Sequence, residues 1–416
     1  MNLEGAIVHP VTVDAAGDHA SRPSRAAYGL GHLVSLVAEG KAATRADLSR
    51  LTGLARSTVS QRVELLVRND VLRDTGDGPS TGGRRPTLLK LAPGVGVVLA
   101  ADIGATHCRL AIADLTGRIA GDIDTRLAVA SGPEAVLGWV IEGFRQLLRD
   151  ASLDAGAVRA VGIGVPGPVE FATGTVVQPP IMPGWDGLVM PDWFADHFDA
   201  PVLVDNDVNI MALGEYSGRG LAASDLLFVK VSTGIGCGII SDGRLHRGAD
   251  GAAGDIGHVR VTDGDDTVCT CGNTGCLEAV ASGAAVARRL ARDGLDAQTA
   301  RGVVELAKAG DARAARSVRL AGERIGEVVA ALVNFYNPST IVIGGALSEL
   351  RDDLLAGIRG VVYHRALPLA TRHLTIETTK LGRRAGVLGA SVLAARHALS
   401  PAGMAGLLRA HGLADS

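Results

Sequence analysis

The sequence predicts an α/β protein of two similar lobes preceded by a small helical module. Three observations carry that expectation. Two strand–turn–strand units recur about 130 residues apart, at 95–115 and 226–238. Residues 24–90 hold a helix-turn-helix pattern and a local excess of positive charge. Residues 254–278, GDIGHVRVTDGDDTVCTCGNTGCLE, gather three of the five cysteines beside His258.

The bulk numbers set the frame. A chain of 416 residues predicts more than one domain and a large buried core. With 47% hydrophobic and 20% charged residues it is globular rather than disordered. Net charge is −3, unevenly spread: −2 over 1–23, +5 over 24–90 and −6 over the remainder. A basic segment on an acidic body points to a phosphate backbone as partner. No charged-then-apolar leader opens the chain, and no apolar run reaches the ~18–20 residues that span a bilayer. The expected setting is the cytoplasm, without membrane attachment and with reduced thiols.

Residues 1–23 lack a period and read as a flexible tail. Residues 24–93 read as a winged helix-turn-helix. Helical patterning from Ser24 passes through Leu30, Leu33, Val34 and Val37 and stops at Gly40. Thr44 is an N-cap with Asp47 at the third position, and the short helix it opens ends at Gly53. The next helix, from Arg56 to about Asn69, sets Val59, Val63, Leu66 and Val67 on one face. Arg56, Ser57, Thr58, Ser60, Gln61 and Arg62 occupy its exposed side and first turn, where a recognition helix reaches base edges in the major groove. Two short strands, 71–73 and 87–91, flank a loop carrying Arg84 and Arg85 beside Gly and Pro. That wing suits a narrow minor groove. A helical interaction module that never touches DNA is the plainer alternative.

The body begins near residue 94. Strand 95–102 ends at Asp102 and turns through Gly104 and Thr106 into a second strand. Such a turn presents backbone N–H groups and a hydroxyl to phosphate, with Asp102 available for Mg²⁺; many ordinary hairpins share the composition. Strand 202–204 ends in Asp205-Asn206-Asp207-Val208-Asn209, polar residues that are costly at a buried strand end unless they bind something or cap a helix. The second unit turns through Thr233 and Gly234. Helical sequence covers 282–337. Strand 339–343 reaches Gly344-Gly345, where backbone can approach a flat ligand. A last helix spans about 385–398, and 401–416 reads as a C-terminal tail. His258, Cys269, Cys271 and Cys276 make the ligand set of a closed, structural zinc site; unconnected thiols or a disulfide are the alternatives.

These motifs resemble the ROK family of repressors and sugar kinases. GIGVPGPV, DNDVN with ALGE downstream, STGIGCGII, GAAGDIGH, CTCGNTGCLE and IVIGGALS are similar to its signatures, in the same order, over roughly 24–398. The resemblance implies a two-lobed actin-like or hexokinase-like ATPase fold over 94–400. It places Asn206, Asp207, Asp255, His258 and Glu278 on a sugar, with Asp207 as the base if the protein is a kinase. It sets Asp102, Gly104, Thr106, Thr233 and Gly234 against the phosphates of ATP, and Gly344 and Gly345 against adenosine. The kinase form of the first loop is Asp-x-Gly-Gly-Thr-Lys. Here Ala105 and His107 depart from it, Asp255 stands where Glu is usual, and Ala346 replaces a third glycine. Sugar positions are therefore better kept than phosphate positions. The reading is a sugar-responsive repressor acting on operator DNA as a homodimer or homotetramer. Its effector is a sugar or sugar phosphate, and its zinc is structural. The alternative is an ATP- and Mg²⁺-dependent sugar kinase carrying a DNA-binding domain.

Overall fold

The computed structural model describes residues 29–38, 40–77, 87–220, 225–261 and 266–413. The expected tail 1–23, the helix start at Ser24 and the wing arginines Arg84 and Arg85 lie outside them.

The N-terminal module contains α1 (Leu30–Ala38), α2 (Arg45–Thr52), α3 (Arg56–Arg68), β1 (Leu72–Asp77) and β2 (Thr87–Leu91). Thr44 opens α2 with a reciprocal capping box: its hydroxyl accepts from the Asp47 N–H, and the Asp47 carboxylate accepts from the Thr44 N–H. That N-terminal cap is worth about 1 kcal/mol. Gly53 ends the helix at φ +70°, a conformation glycine adopts without steric cost. Leu33, Leu48, Val59, Val63 and Leu66 are fully buried in the module's core. β1 pairs antiparallel with β2, and an Arg45–Asp74 ion pair of 3.0 Å ties α2 to β1.

The first lobe runs β3 (Val97–Ile103), β4 (Cys108–Asp114), β5 (Ile119–Thr125), α4 (Pro133–Asp150), β6 (Val158–Val165), β7 (Val169–Glu170), β8 (Thr175–Val176), α5 (Met190–Ala195), β9 (Val202–Asn206) and α6 (Asp207–Gly218). The second runs β10 (Leu226–Val231), β11 (Ile235–Ser241), β12 (Arg244–His246), α7 (Leu277–Ala281), α8 (Gly283–Arg292), α9 (Ala300–Lys308), α10 (Ala312–Tyr336), β13 (Thr340–Gly344), α11 (Arg351–Arg365), α12 (Pro368–Thr371) and β14 (Thr375–Thr378). Helices α13 (Ala385–Ala398) and α14 (Pro401–Ala410) complete the chain.

The duplication read from two hairpins extends to whole sheets. The strand orders are β5-β4-β3-β6-β9 and β12-β11-β10-β13-β14. In each, three antiparallel strands are followed by two parallel ones. Strands such as β6, apolar throughout after Arg159, suit positions covered on both faces, and α4 and α13 cover the first sheet with Phe144, Leu137, Val387 and Ala390.

Two expectations need correction. The helical run 282–337 is three helices, broken at Gly294 and Gly310, with Thr299 and Asp311 capping the second and third. The residues read as a C-terminal tail form α14, whose Met404, Leu407 and Leu408 are buried. They share one core with Leu33, Val34 and Leu72 of the N-terminal module and with Ala394, Ala395 and Leu399 of α13. The Ser35 hydroxyl donates to the Leu399 carbonyl at 2.6 Å. Apolar spacing in α14 was obscured by its small residues, Ala and Gly alternating with Leu.

Candidate ligand cleft and metal centre

His258, Cys269, Cys271 and Cys276 converge, their ligand atoms all within 4.8 Å of one another. Tight turns make this possible: the Cys269 N–H donates to the Asn273 carbonyl at 2.7 Å, and the Gly272 N–H to that of Cys269 at 3.0 Å. Cys271 and Cys276 sulfurs stand 3.8 Å apart, and His258 Nδ1 lies 3.6 Å from Cys269 Sγ. Tetrahedral zinc, with bonds of about 2.3 Å to sulfur and about 2.0 Å to nitrogen, implies edges of about 3.8 and about 3.5 Å. The cluster therefore fits the expected ion. The backbone N–H of Asn273 draws the Cys271 thiol down to about 7, helping it to the thiolate form. With Nδ1 facing the sulfurs, His258 Nε2 turns to Asp255, 3.9 Å away. A carboxylate behind a ligand histidine fixes its ring orientation.

The β10–β11 hairpin is the floor on which the other elements meet. Gly254 rests on it: its carbonyl accepts from the Cys237 N–H at 2.8 Å, and a Cβ there would fall 1.8 Å from the Cys237 carbonyl oxygen. Gly254 also has φ +96°. From α7, Glu278 accepts a hydrogen bond from the Ile235 N–H at 3.0 Å, and its carboxylate lies over Gly234, 2.3 Å from where a Cβ would stand. The turn expected to face phosphate is thus covered by a carboxylate. The exposed hydroxyl of Thr233 stands beside it.

The first turn is covered as well. The His107 ring lies across Gly104, 2.1 Å from a hypothetical Cβ. Its Nε2 is 3.8 Å from the Asp102 carboxylate, which is buried. Asp102 in turn sits against the N-terminus of α13, where a Cβ on Gly386 would meet it at 2.1 Å. The N–H groups of a helix start favour such an anion. Thr106 is exposed at the turn.

Asn206 caps α6, its side-chain oxygen accepting from the Val208 N–H at 2.9 Å while its amide donates to the Gly167 carbonyl at 3.0 Å. Asp205 accepts from Asn209 and Arg247, each at 2.8 Å. Asp207 has a different partner. It is 3% exposed and pairs with the Lys230 ammonium from β10. Burial raises its carboxyl above the usual range; Lys230 opposes that, and Asp102 adds to it. Gly344 and Gly345 are explained by internal packing, since a Cβ on either would strike Phe228 or the Val231 carbonyl.

A model of the ROK family matches residues 98–397. The chain belongs to the ROK family. It is 32% identical over 371 residues to a xylose repressor of Caldicellulosiruptor bescii, covering 86% of this chain and 92% of that protein. It is also 32% identical over 304 residues to a glucokinase of Halalkalibacterium halodurans, covering 69% of this chain and 92% of that one. Among solved structures, a ROK family transcriptional regulator, a homologue of the E. coli MLC protein, superposes with TM-score 0.75 over 92% of this chain and 98% of its own. At 23% identity that likeness concerns the fold.

Within the ROK body, Glu278 and the Gly254–His258 segment converge on one hairpin, and Asp207 reaches it through Lys230. Asp255 stays exposed at the rim. Two residues escaped the sequence reading. Lys230 had a visible signal, as the single charge in the buried strand Leu226–Val231. Arg247, which stacks 3.7 Å from the Phe171 ring centroid and holds Asp205, had none. In the N-terminal module Arg56, Ser57 and Gln61 are exposed on α3, whereas Thr58, Ser60 and Arg62 are half-buried. No helix among the described residues is long and apolar enough to cross a membrane.

Proposed function

We propose that this protein is a sugar-responsive transcriptional repressor whose kinase-like cleft serves as a receptor. Residues 24–93 bind operator DNA, with α3 in the major groove and the expected wing, carrying Arg84 and Arg85, in the minor groove. Residues 94–400 bind the sugar. The repressor relative is matched over most of its length and most of this chain, and the glucokinase leaves a larger part of this chain unmatched. The working form is a homodimer or homotetramer in the cytoplasm, on half-sites one or more helical turns apart.

One observation carries the reading: α13 touches both ends of the device. Its first turn packs on Asp102, and its last turn enters the core shared by α1 and α14. Its 14 residues span about 21 Å. Sugar closing the cleft would shift α13 and with it the seat of α1. An effector switches DNA affinity only by preferring one of the two arrangements. Asn206, Asp207, Asp255, His258 and Glu278 would take the sugar hydroxyls. Zinc, when bound by His258, Cys269, Cys271 and Cys276, supplies rigidity, holding His258, Asp255 and Glu278 against the hairpin.

The test is operator binding by anisotropy with and without sugars. Sugar should shift DNA affinity in the wild type. Met404→Ala/Leu408→Ala should still bind sugar yet lose that response. An undiminished response would sink the α13–α14 route. The kinase reading keeps a specific support in the retained Asp207 and in the glucokinase relative. ATP turnover above about 1 s⁻¹ that disappears in Asp207→Asn would establish it.

A further inference from the structure

Lys230 occupies an unusual place. It is the penultimate residue of β10, the central strand of the second sheet, where the preceding four residues are all buried and apolar. A lysine there is costly unless it is paired. Its register partners on both sides are glycines, Gly236 on β11 and Gly344 on β13. No neighbouring side chain therefore crowds its stem, and the ammonium crosses to Asp207 at the start of α6. The ion pair joins the second sheet to the strand end of the first. Asp102 and His107 stand near enough to act on the Asp207 carboxylate. Arg247, which directly follows β12, is committed to the neighbouring Asp205 instead.

We propose that Lys230 is an internal occupant of the sugar site. Its ammonium holds the Asp207 carboxylate in the ligand-free protein, and a hydroxyl of an uncharged sugar displaces it on binding. This rests on the receptor reading above. Two consequences follow. The bridge between the lobes opens when the sugar arrives, so ligand binding and lobe movement become one event. Asp207 also answers to a permanent charge, which lowers its value as a proton acceptor and holds the cleft as a receptor. An anionic ligand displacing the ammonium would meet the Asp207 carboxylate it uncovers, with Asp102 acting beside it, so the displacing group is a neutral polyol.

The experiment is competitive acylation of amines in the full-length, zinc-loaded protein, reading Lys230 by mass spectrometry with exposed Lys90 as internal reference. Calorimetry runs in parallel on a panel of neutral pentoses, hexoses and N-acetyl sugars and their phosphates. Asp207→Asn should accelerate Lys230 labelling about tenfold, the worth of one charge-assisted hydrogen bond. A neutral sugar that binds should do the same in the wild type. Lys230→Met should bind that sugar more tightly at pH 8, and Lys230→Arg should keep the wild-type affinity. Labelling of Lys230 at the Lys90 rate, or unchanged by a sugar that demonstrably binds, overturns the proposal. So does weaker binding by Lys230→Met in protein that keeps its zinc and its melting temperature. Preference for the phosphorylated forms overturns the neutral-polyol assignment. If no sugar binds, the receptor reading fails and the displacement step with it. The labelling contrast with Asp207→Asn would then persist, showing that the ion pair was not at fault.

Discussion

The two lobes share a sheet topology and a hairpin turn, yet their turns are closed by different means. In the first, the imidazole of His107, three residues downstream, lies over Gly104. In the second, the carboxylate of Glu278 comes from more than forty residues away and covers Gly234. The first closure is local. The second depends on the cysteine cluster, because Glu278 follows Cys276 by two residues and the 254–258 segment lies on the same hairpin. Duplication supplied two equivalent turns, and an inserted metal loop made only one of them answer to distant structure.

Four substitutions probe that contrast. The largest effect belongs to Cys276→Ser, which removes a ligand from a four-residue cluster. Metal analysis should fall from about one zinc per chain to none. Proteolysis should open residues 254–278, and sugar heats should vanish while the first lobe keeps its protection from hydrogen exchange. Gly254→Ala comes next. It strikes backbone at 1.8 Å from a left-handed φ, so about 3 kcal/mol or more is expected in urea unfolding. Gly104→Ala displaces only a ring from its own hairpin, and about 1–3 kcal/mol should be lost with zinc content unchanged. Equal costs at the two glycines would refute the contrast between a turn closed by a movable ring and a segment seated directly on backbone. The smallest effect, about 1 kcal/mol on α2, is expected for Thr44→Ala. Asp47 sharpens it. The Thr44 hydroxyl, before its other partners, holds this carboxyl below the ordinary range. Its contribution is therefore complete above the unfolded-state value and lost as pH falls through the lower folded one. Acid titration of the mutant should lack that component.

Much of this was legible in the chain. The helix-turn-helix showed itself because its signals are local: an i, i+4, i+7 apolar face, a capping threonine, a terminating glycine. The His/Cys cluster showed itself because its spacing permits few other uses. What escaped depended on how side chains fold over one another, at separations from three residues to several hundred. That His107 and Glu278 lie over the glycines, that Lys230 finds Asp207, and that α14 covers α1 are consequences of tertiary packing. No periodicity encodes them. Asn206 illustrates the middle ground: the sequence left binding and helix capping both open, and the structure shows the cap made by an atom that retains a second lone pair.

The burial of α1 beneath α14 has a consequence for synthesis. The module around α1 is covered by residues made more than 350 positions later in the chain. Until Met404, Leu407 and Leu408 emerge, the inner face of α1 has no lid, and a nascent chain cannot complete the core that seats α1. A chain stopped at residue 400 should, for the same reason, fail at its opposite end.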